Sequence, residues 1–282
     1  MPDEHHFQVT HIAHQVLPAL HFTALSTSVS LHTILQSLCY RGHHQARTAQ
    51  GHMACHKAHP AMQPMGRQRL RPSAMTFFNF HTHDTAAHDA IISVSPSCFD
   101  PHSGLLYSVG IHPWNTIGDL QQEWDLLETF CHHQQVVAIG ETGLDTLRGA
   151  PLDIQIEIFK RHIAMAEQIG KPIIVHCVRA WQELITTWRS TAPHHVSLAV
   201  HGFRGNAAIA KQLVKEGFYL SFGEHFKAEA LAVTPHYRIL IENDDSNSDI
   251  ANIASHVAET LQMPVTDIIA ISTANAAKFL NL

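Results

Sequence analysis

Six side chains of the types that commonly bind divalent metal ions follow short apolar runs of the sequence. They are His81, His83, Glu141, His176, His201 and Asp244. Imidazole nitrogens and carboxylate oxygens together suit Zn, Mn, Fe or Co, and six such groups are too many for one tetrahedral ion. The simplest interpretation is a pair of metal ions bridged by the carboxylate of Glu141. A metal pair activates water and stabilises the attacking and leaving oxygens of a displacement, which suits phosphoester hydrolysis.

Histidine is so abundant that its motifs carry little weight by themselves. The chain has 26 histidines in 282 residues. At this frequency, chance alone predicts about two His-x-His triplets. The sequence has one, His81-Thr82-His83. On a strand, the alternation of side chains would direct both imidazoles to the same face.

The two carboxylates are more informative than the histidines. Glu141 follows the apolar run Ala138-Ile139-Gly140, and Asp244 follows shortly after Leu240-Ile241. A charged group at the end of a buried strand is costly unless it is paired or bound to a metal. For Asp244 a second interpretation stays open, because Asp244-Asp245-Ser246-Asn247 also fits a helix N-cap or a surface loop.

From Met75 onward, short β-rich runs alternate with helical patterns, which is typical of repeated βαβ units around a parallel sheet. Eight strands are predicted, at 77–81, 91–95, 106–111, 136–140, 172–176, 197–201, 218–222 and 238–242. Helices are predicted at 121–132, 153–168, 180–187, 206–216, 249–262 and 265–279. This pattern predicts an α/β fold, a TIM-type (β/α)8 barrel. In such barrels the functional side chains lie at the C-terminal ends of the strands, where the six candidate ligands fall.

The composition indicates in which cellular compartment the protein is expected. No apolar run approaches the roughly 20 residues of a membrane-spanning helix, so no membrane association is predicted. The five cysteines, an odd number, form no Cys-x-x-Cys pair and do not predict a disulfide framework. We therefore expect a cytoplasmic protein.

A series of motifs occurs in order along residues 79–279. They are Asn79-Phe80-His81-Thr82-His83, Gly110-Ile111-His112-Pro113, Gly140-Glu141-Thr142-Gly143-Leu144-Asp145, Gln155 with Phe159, Lys171-Pro172-Ile173-Ile174-Val175-His176, His201-Gly202-Phe203-Arg204-Gly205, Glu242-Asn243-Asp244, and Asn275-Ala276 with Phe279. Together they resemble the TatD family of metal-dependent deoxyribonucleases, a branch of the amidohydrolase-like barrel superfamily.

The resemblance implies a role for each candidate ligand. His81, His83, Glu141 and Asp244 would hold one metal ion, and Glu141, His176 and His201 the second. Asp244, with Glu141 the expected catalytic residue, would also orient or deprotonate the attacking water, a role that needs hydrogen-bond reach.

Three further residues are candidate substrate binders. The resemblance implies that His112 faces the substrate phosphate, although an exposed loop position before Pro113 also explains it. Arg179 and Arg204 follow the fifth and sixth strands, where a guanidinium could bind a phosphate through two hydrogen bonds. Solvated positions at helix starts explain these two arginines equally well.

The sequence departs from the family pattern in three places. Asn79 stands where the family usually has Asp, which puts a supporting carboxylate in doubt. Arg179 comes one residue later after His176 than is common. The interval from His83 to His112 is short for the family, so we expect trimmed helices over the site and a wider cleft.

The leading hypothesis is a metal-dependent deoxyribonuclease or phosphodiesterase that acts on single-stranded or frayed DNA ends with divalent ions, two per subunit (Mg, Mn or Zn). Two alternatives stay open: a hydrolase of a small phosphoester, amide or lactone, and a non-catalytic metal-binding barrel. The formal charge argues for short ends or small phosphoesters rather than long duplexes. The whole chain carries −6 and residues 1–74 carry +4, so residues 75–282 carry −10 and lack a basic footprint for nucleic acid.

Residues 1–74 differ from the rest of the chain. They contain 11 of the histidines and only two acidic residues, Asp3 and Glu4, and they show little hydrophobic periodicity. We predict a poorly structured His-rich extension, with the TatD-like barrel occupying residues 75–282. The extension could lie upstream of a natural start at Met75 or be a genuine metal-storage arm.

The intact mass of the natural protein distinguishes these two interpretations. With a natural start at Met75, the mass will lack residues 1–74. A mass that includes them would contradict the start-site hypothesis.

Overall fold

The computed structural model describes residues 78–282. In this part of the chain, eight parallel strands form one sheet in sequence order. They are β1 (Asn79–Thr82), β2 (Ala90–Val94), β3 (Leu106–Val109), β4 (Val136–Asp145), β5 (Ile173–Val178), β6 (Leu198–Val200), β7 (Tyr219–Phe222) and β8 (Ile239–Ile241). The sheet closes because Thr82, at the end of β1, forms a parallel bridge with Asp244, just after β8. This confirms the predicted TIM-type barrel. The predicted extension, residues 1–74, lies outside the described residues.

Seven α-helices accompany the strands in residues 78–282. They are α1 (Gln121–Phe130), α2 (Leu152–Ile169), α3 (Trp181–Ser190), α4 (Ala207–Lys215), α5 (Ala228–Val233), α6 (Ile250–Leu261) and α7 (Val265–Phe279). The connections after β1 and β2 contain no α-helix, only the 3-10 turn Pro96–Cys98. The interval from His83 to His112 thus contains no α-helix, and the wider cleft expected from its shortness stays a prediction. None of the described helices is long and apolar enough to cross a membrane.

The predicted strands and helices are all present, and most of their bounds agree within a residue or two. The largest difference is at β4, which was predicted to end at Gly140 but continues to Asp145. Its pairing with β5 shifts register after Ile139 and then continues as far as Asp145 opposite Val178. A strand continues past a polar side chain as long as its backbone groups still have hydrogen-bond partners in the neighbouring strand. Glu141 therefore lies within β4 rather than after it, and His176 lies within β5, which extends to Val178.

An apolar cluster fills the N-terminal half of the barrel. Its members from the strands alternate with residues that face the surrounding helices. They are Phe78, Phe80, Ile91, Ala138, Ile174, Ala199, Tyr219 and Leu240, joined by Ala276, Phe279 and Leu280 from the end of the chain. The ring of Phe279 packs edge-on against Phe80 at 5.1 Å and against Tyr219 at 5.7 Å. The interior is thus apolar at one end, and its polar side chains collect at the other.

A fully buried histidine on α2 holds the segment that follows β3. His162 is 0% exposed. Its Nδ1 donates to the Ile158 carbonyl at 2.8 Å, while its Nε2 accepts from the Ile111 backbone N–H at 3.1 Å. Both bonds require the neutral ring with its proton on Nδ1. Burial lowers the pKa of His162 to about 4, and the bond to Ile111 fixes the backbone beside His112.

This histidine makes stability depend on pH. The pKa of His162 is about 4 in the folded chain and about 6.5 in an unfolded one, so between these values the unfolded state binds more protons. The stabilisation is complete above pH 6.5 and is lost as pH falls toward 4. We expect the free energy of unfolding to fall by up to about 3 kcal/mol more in the wild type than in His162→Gln over this window. Urea unfolding at a series of pH values measures the free energy of unfolding of both proteins. If this free energy depends on pH in the same way in both, the lowered pKa of His162 is contradicted.

Candidate metal centre

The six predicted ligand side chains come together at the C-terminal end of the barrel. His81 belongs to β1, Glu141 to β4 and His176 to β5, whereas the other three follow β1, β6 and β8 directly or within three residues. Parallel strands bring these positions to one rim because their C-terminal ends all point the same way.

Glu141 lies at the middle of this cluster. Its side chain is only 4% exposed, and Oε1 lies 3.0 Å from Nε2 of His81 and 2.8 Å from Nε2 of His83. The other oxygen, Oε2, lies 3.0 Å from Nε2 of His201 and 3.8 Å from Nδ1 of His176. Each oxygen of one carboxylate thus faces a different pair of imidazoles.

Asp244 completes the group around Oε1 of Glu141. Its Oδ1 lies 3.5 Å from Nε2 of both His81 and His83. The backbone N–H of Asp244 donates to the His81 carbonyl, and the His83 N–H donates to the Asp244 carbonyl, so the closure of the barrel also positions the carboxylate. The alternative role as a helix cap does not hold for α6, because Asp249 caps that helix.

The second predicted group is also brought together, with two additions. Nδ1 of His176 lies 3.2 Å from Nε2 of His201, and both face Oε2 of Glu141. His112, predicted as a substrate binder, approaches the same oxygen, with its Nε2 at 3.2 Å. Glu242, which was not predicted as a site residue, groups with His201 on the other side. The cluster therefore contains more ionisable side chains than the sequence predicted.

Attraction between the carboxylates and the histidines sets the charges of the cluster. Burial raises the pKa of Glu141, but the surrounding histidines lower it well below its usual range, so the carboxylate is ionised. Burial and the neighbouring His201 lower the pKa of His81, yet the carboxylates of Glu141 and Asp244 outweigh them and raise it to about 9. In both cases, attraction between opposite charges exceeds the cost of burial.

The geometry of His81 fits a metal ligand. Neither ring nitrogen of this fully buried side chain has a hydrogen-bond partner, although Nε2 lies 3.0 Å from Glu141 Oε1. Close approach without hydrogen-bond alignment is expected where two groups are directed at a shared ion. A buried polar group without a partner calls for an explanation, and an ion ligated by both groups supplies one.

Carboxylates behind the cluster orient two of its histidines. Oδ2 of Asp145 lies 3.2 Å from Nε2 of His176 and also accepts from Nε1 of Trp114 at 2.6 Å. Oε1 of Glu242 lies 3.4 Å from Nδ1 of His201. A carboxylate on the far nitrogen fixes the ring and raises its basicity, as is common in metal sites. The sequence left the role of Asp145 undecided and did not single out Glu242 or Trp114.

Strand alternation could have identified two of the missed residues. Glu242 follows two residues after the inward-facing Leu240, and Ser93 follows two after the inward-facing Ile91. Ser93 donates to Oε1 of Glu141 at 3.2 Å. Trp114 offered no such signal, because it lies in a 3-10 turn rather than a strand.

Arg179 and Arg204 do not contribute to the cluster in this structure. Both side chains are exposed, and Arg204 lies close enough to Glu224 to lower the pKa of that carboxyl group. The geometry therefore does not bring these two predicted phosphate binders onto the ligand residues.

The unusual Asn79 is matched by a second asparagine. Nδ2 of Asn79 donates to Oδ1 of Asn243 at 2.7 Å, and Oδ1 of Asn79 accepts from the Asn243 backbone N–H at 3.2 Å. An aspartate could make the second bond but not the first. Asn79 therefore holds the segment that carries Asp244.

Comparisons with known proteins agree with this geometry. The family model described as TatD related DNase matches residues 53–281. An uncharacterized metal-dependent hydrolase of Bacillus subtilis, YabD, is 31% identical over 196 residues, covering 62% of this chain and 77% of its own. The human 3'-5' RNA nuclease TATDN2 is 31% identical over 134 residues, covering 44% of this chain and 18% of its own.

A solved structure supports the fold. The TatD homologue YjjV from Escherichia coli superposes with a TM-score of 0.63 and 17% sequence identity, covering 73% of this chain and 97% of that one. At this identity the likeness concerns the barrel alone. The family match over most of the chain, together with the clustered histidines and carboxylates, leads to one conclusion: the chain belongs to the TatD-related DNase family and is a metal-dependent hydrolase.

Proposed function

We propose that Glu141 and the histidines around it would hold two divalent metal ions, with Glu141 shared between them, and that the chain hydrolyses phosphodiester bonds at single-stranded or frayed DNA ends. The observation that carries the proposal is the position of the two Glu141 oxygens, each within about 4 Å of a separate set of imidazoles. Oε1 faces two of them and Oε2 faces three. Paired metal ions about 3.5–4 Å apart are typical of phosphatases and nucleases, and one carboxylate placed between two sets of imidazoles would serve both ions.

Each proposed metal ion has its own set of ligands. His81, His83 and Asp244 would hold one ion together with Oε1 of Glu141. His176 and His201 would hold the other together with Oε2. When bound, a pair of Mg, Mn or Zn ions supplies Lewis acidity and activates water at neutral pH.

Asp244 is the residue best placed to orient the attacking water. Its side chain is 24% exposed, against 4% for Glu141, so water reaches it. Burial raises the pKa of Asp244, but His81 and His201 lower it well below its usual range. The ionised carboxylate therefore accepts a hydrogen bond from water and aligns it.

His112 is suited to donate a hydrogen bond to the phosphate. The Trp114 backbone N–H donates to Nδ1 of His112 at 3.1 Å, so a neutral ring carries its proton on Nε2. Burial outweighs the attraction of Glu141 and lowers the pKa of His112 to about 4, which keeps the ring neutral at physiological pH. Its Nε2–H, now 3.2 Å from Glu141 Oε2, would be shared with a phosphoryl oxygen.

The net negative charge of residues 75–282 favours short nucleic-acid ends over long duplexes as substrates. Residues 75–282 carry −10, so affinity would depend on the metal ions and a few cations rather than on a broad basic surface. RNA is the second candidate, because the human relative is named a 3'-5' RNA nuclease. A cytoplasmic setting is also proposed, supported by the odd number of cysteines in the sequence and by the absence of a Cys-x-x-Cys pair.

Metal binding tests the bridge. The metal-depleted full chain should take up about two equivalents of Mn²⁺, and its melting temperature should rise because the ions bind only the folded state. Glu141→Gln keeps the size of the side chain but loses the charge shared by both ions, so it should bind less than about one equivalent. Glu157→Gln, at an exposed position paired with Lys160, is the matched control. Two equivalents in Glu141→Gln would rule out the bridge.

The nuclease activity is tested with labelled DNA. The wild type should shorten a single-stranded oligonucleotide in Mg²⁺ or Mn²⁺, whereas Glu141→Ala and Asp244→Ala should lose at least about a hundredfold in rate. Gel analysis of the products measures each rate. Equal degradation by all three proteins would show that Glu141 and Asp244 do not form the active site. Turnover of RNA, a small phosphodiester or a lactone, without DNA cleavage, would replace DNA as the substrate.

A further inference from the structure

An arginine that the sequence did not single out lies beside the metal centre. Cζ of Arg148 lies 4.1 Å from the centre of the Trp114 ring. That ring is 4.8 Å from the His112 ring and 5.6 Å from the His176 ring, centre to centre. Two successive contacts therefore connect an exposed guanidinium to the proposed metal site.

The loop that carries Arg148 is firmly held. Nε2 of Gln155, which carries two N–H donors, lies within hydrogen-bond distance of the backbone carbonyls of Asp145, Arg148 and Ala150, at 2.9, 2.9 and 2.7 Å. The Ala150 N–H donates to Oγ1 of Thr116, in the loop after β3, at 2.9 Å. The guanidinium is thus presented by anchored backbone, which reduces the entropy lost when it binds a ligand.

The two loops approach so closely that only glycine fits between them. A Cβ on Gly149 would lie 1.9 Å from the Pro113 carbonyl oxygen, and the φ of Gly149 is +86°. Both features exclude an ordinary side chain at this position. The close approach keeps Arg148 next to the turn that carries Trp114.

Arg148 is an uncompensated cation. In residues 78–282, no carboxylate lies within ion-pair distance of its guanidinium, although Arg161, which stacks on Trp124 at 3.9 Å, pairs with Glu128 at 2.8 Å. The carboxylate of nearby Asp145 already bonds to Trp114, His176 and the Leu147 N–H. A positive group left free beside the active site of an acidic domain is available for an anionic ligand.

We propose that Arg148, stacked on Trp114 beside the metal centre, binds a backbone phosphate of a nucleic-acid strand next to the phosphate being cleaved. The inference rests on the proposed function and extends it, because it assigns the preference for a strand over a single phosphodiester to one side chain. A planar guanidinium on an aromatic ring keeps its N–H edges free for two phosphate oxygens. Leu147 and Ile117, 60% and 61% exposed on the same two loops, offer apolar surface to the adjoining base or sugar.

The test compares two substrates that differ in the number of phosphates. Full-length wild type, Arg148→Gln, Arg148→Lys and Arg161→Gln are assayed on a short oligothymidylate and on bis(p-nitrophenyl) phosphate. Arg148→Gln should raise KM for the oligonucleotide about 10- to 100-fold, the loss of a charge-assisted hydrogen bond. Its kcat, and its KM for the single phosphodiester, should stay within about twofold of wild type. Arg161→Gln, which loses an equivalent arginine–tryptophan stack away from the site, should behave as wild type.

Binding to a phosphorothioate oligothymidylate, measured by fluorescence anisotropy at several salt concentrations, gives a readout that does not require cleavage. In Arg148→Gln the slope of log affinity against log salt should be shallower by about 0.7, the value for one phosphate contact on a single strand. Arg148→Lys should keep the wild-type slope with weaker binding, because it retains the charge but not the paired N–H edges.

Three results would overturn the inference: equal effects of Arg148→Gln on both substrates, an unchanged oligonucleotide KM, or no binding of oligonucleotide by the wild type. Wild-type binding without cleavage, weakened in Arg148→Gln, would support the role of Arg148 and would reject only the nuclease activity. The two proposals therefore fail in distinguishable ways.

Discussion

The structure depends on one buried negative charge. Glu141 is almost fully enclosed, yet its carboxylate is ionised because histidines approach both of its oxygens. A charge in this position is tolerated only with partners, since the cost of removing it from water is several kcal/mol. Two of these histidines, His176 and His201, are held in turn by Asp145 and Glu242. Apolar side chains fill the N-terminal end of the barrel interior, so the polar side chains lie together at the C-terminal end.

The contacts that close the barrel also position three of the candidate ligands. In the described residues, β1 and the chain after β8 meet at a single bridge, between Thr82 and Asp244. The residues on either side of Thr82 are two of the candidate ligands, and Asp244 is another. The amide pair of Asn79 and Asn243 braces this join. A change that opened this join would therefore displace three of the candidate ligands.

The sequence predicted the parts of the site that follow from local pattern. Alternating strands and helices defined the barrel, and polar residues after apolar runs marked the rim, because strand ends converge whatever the loops do. Local pattern did not reveal that β4 runs past Glu141, since that depends on pairing with β5. Nor did it favour Arg148 over Arg179 and Arg204 as a phosphate binder. That distinction comes from Trp114, which lies 34 positions earlier in the chain and meets Arg148 only in the folded structure.

The central proposal is that the carboxylate of Glu141 would serve two metal ions. Anomalous X-ray scattering from crystals grown with Mn²⁺ tests it most directly, because the signal locates each ion independently of activity. We expect two peaks about 3.5–4 Å apart, as in other two-metal sites, one beside Oε1 and one beside Oε2 of Glu141. A single peak, or two peaks that do not share Glu141, would contradict the account.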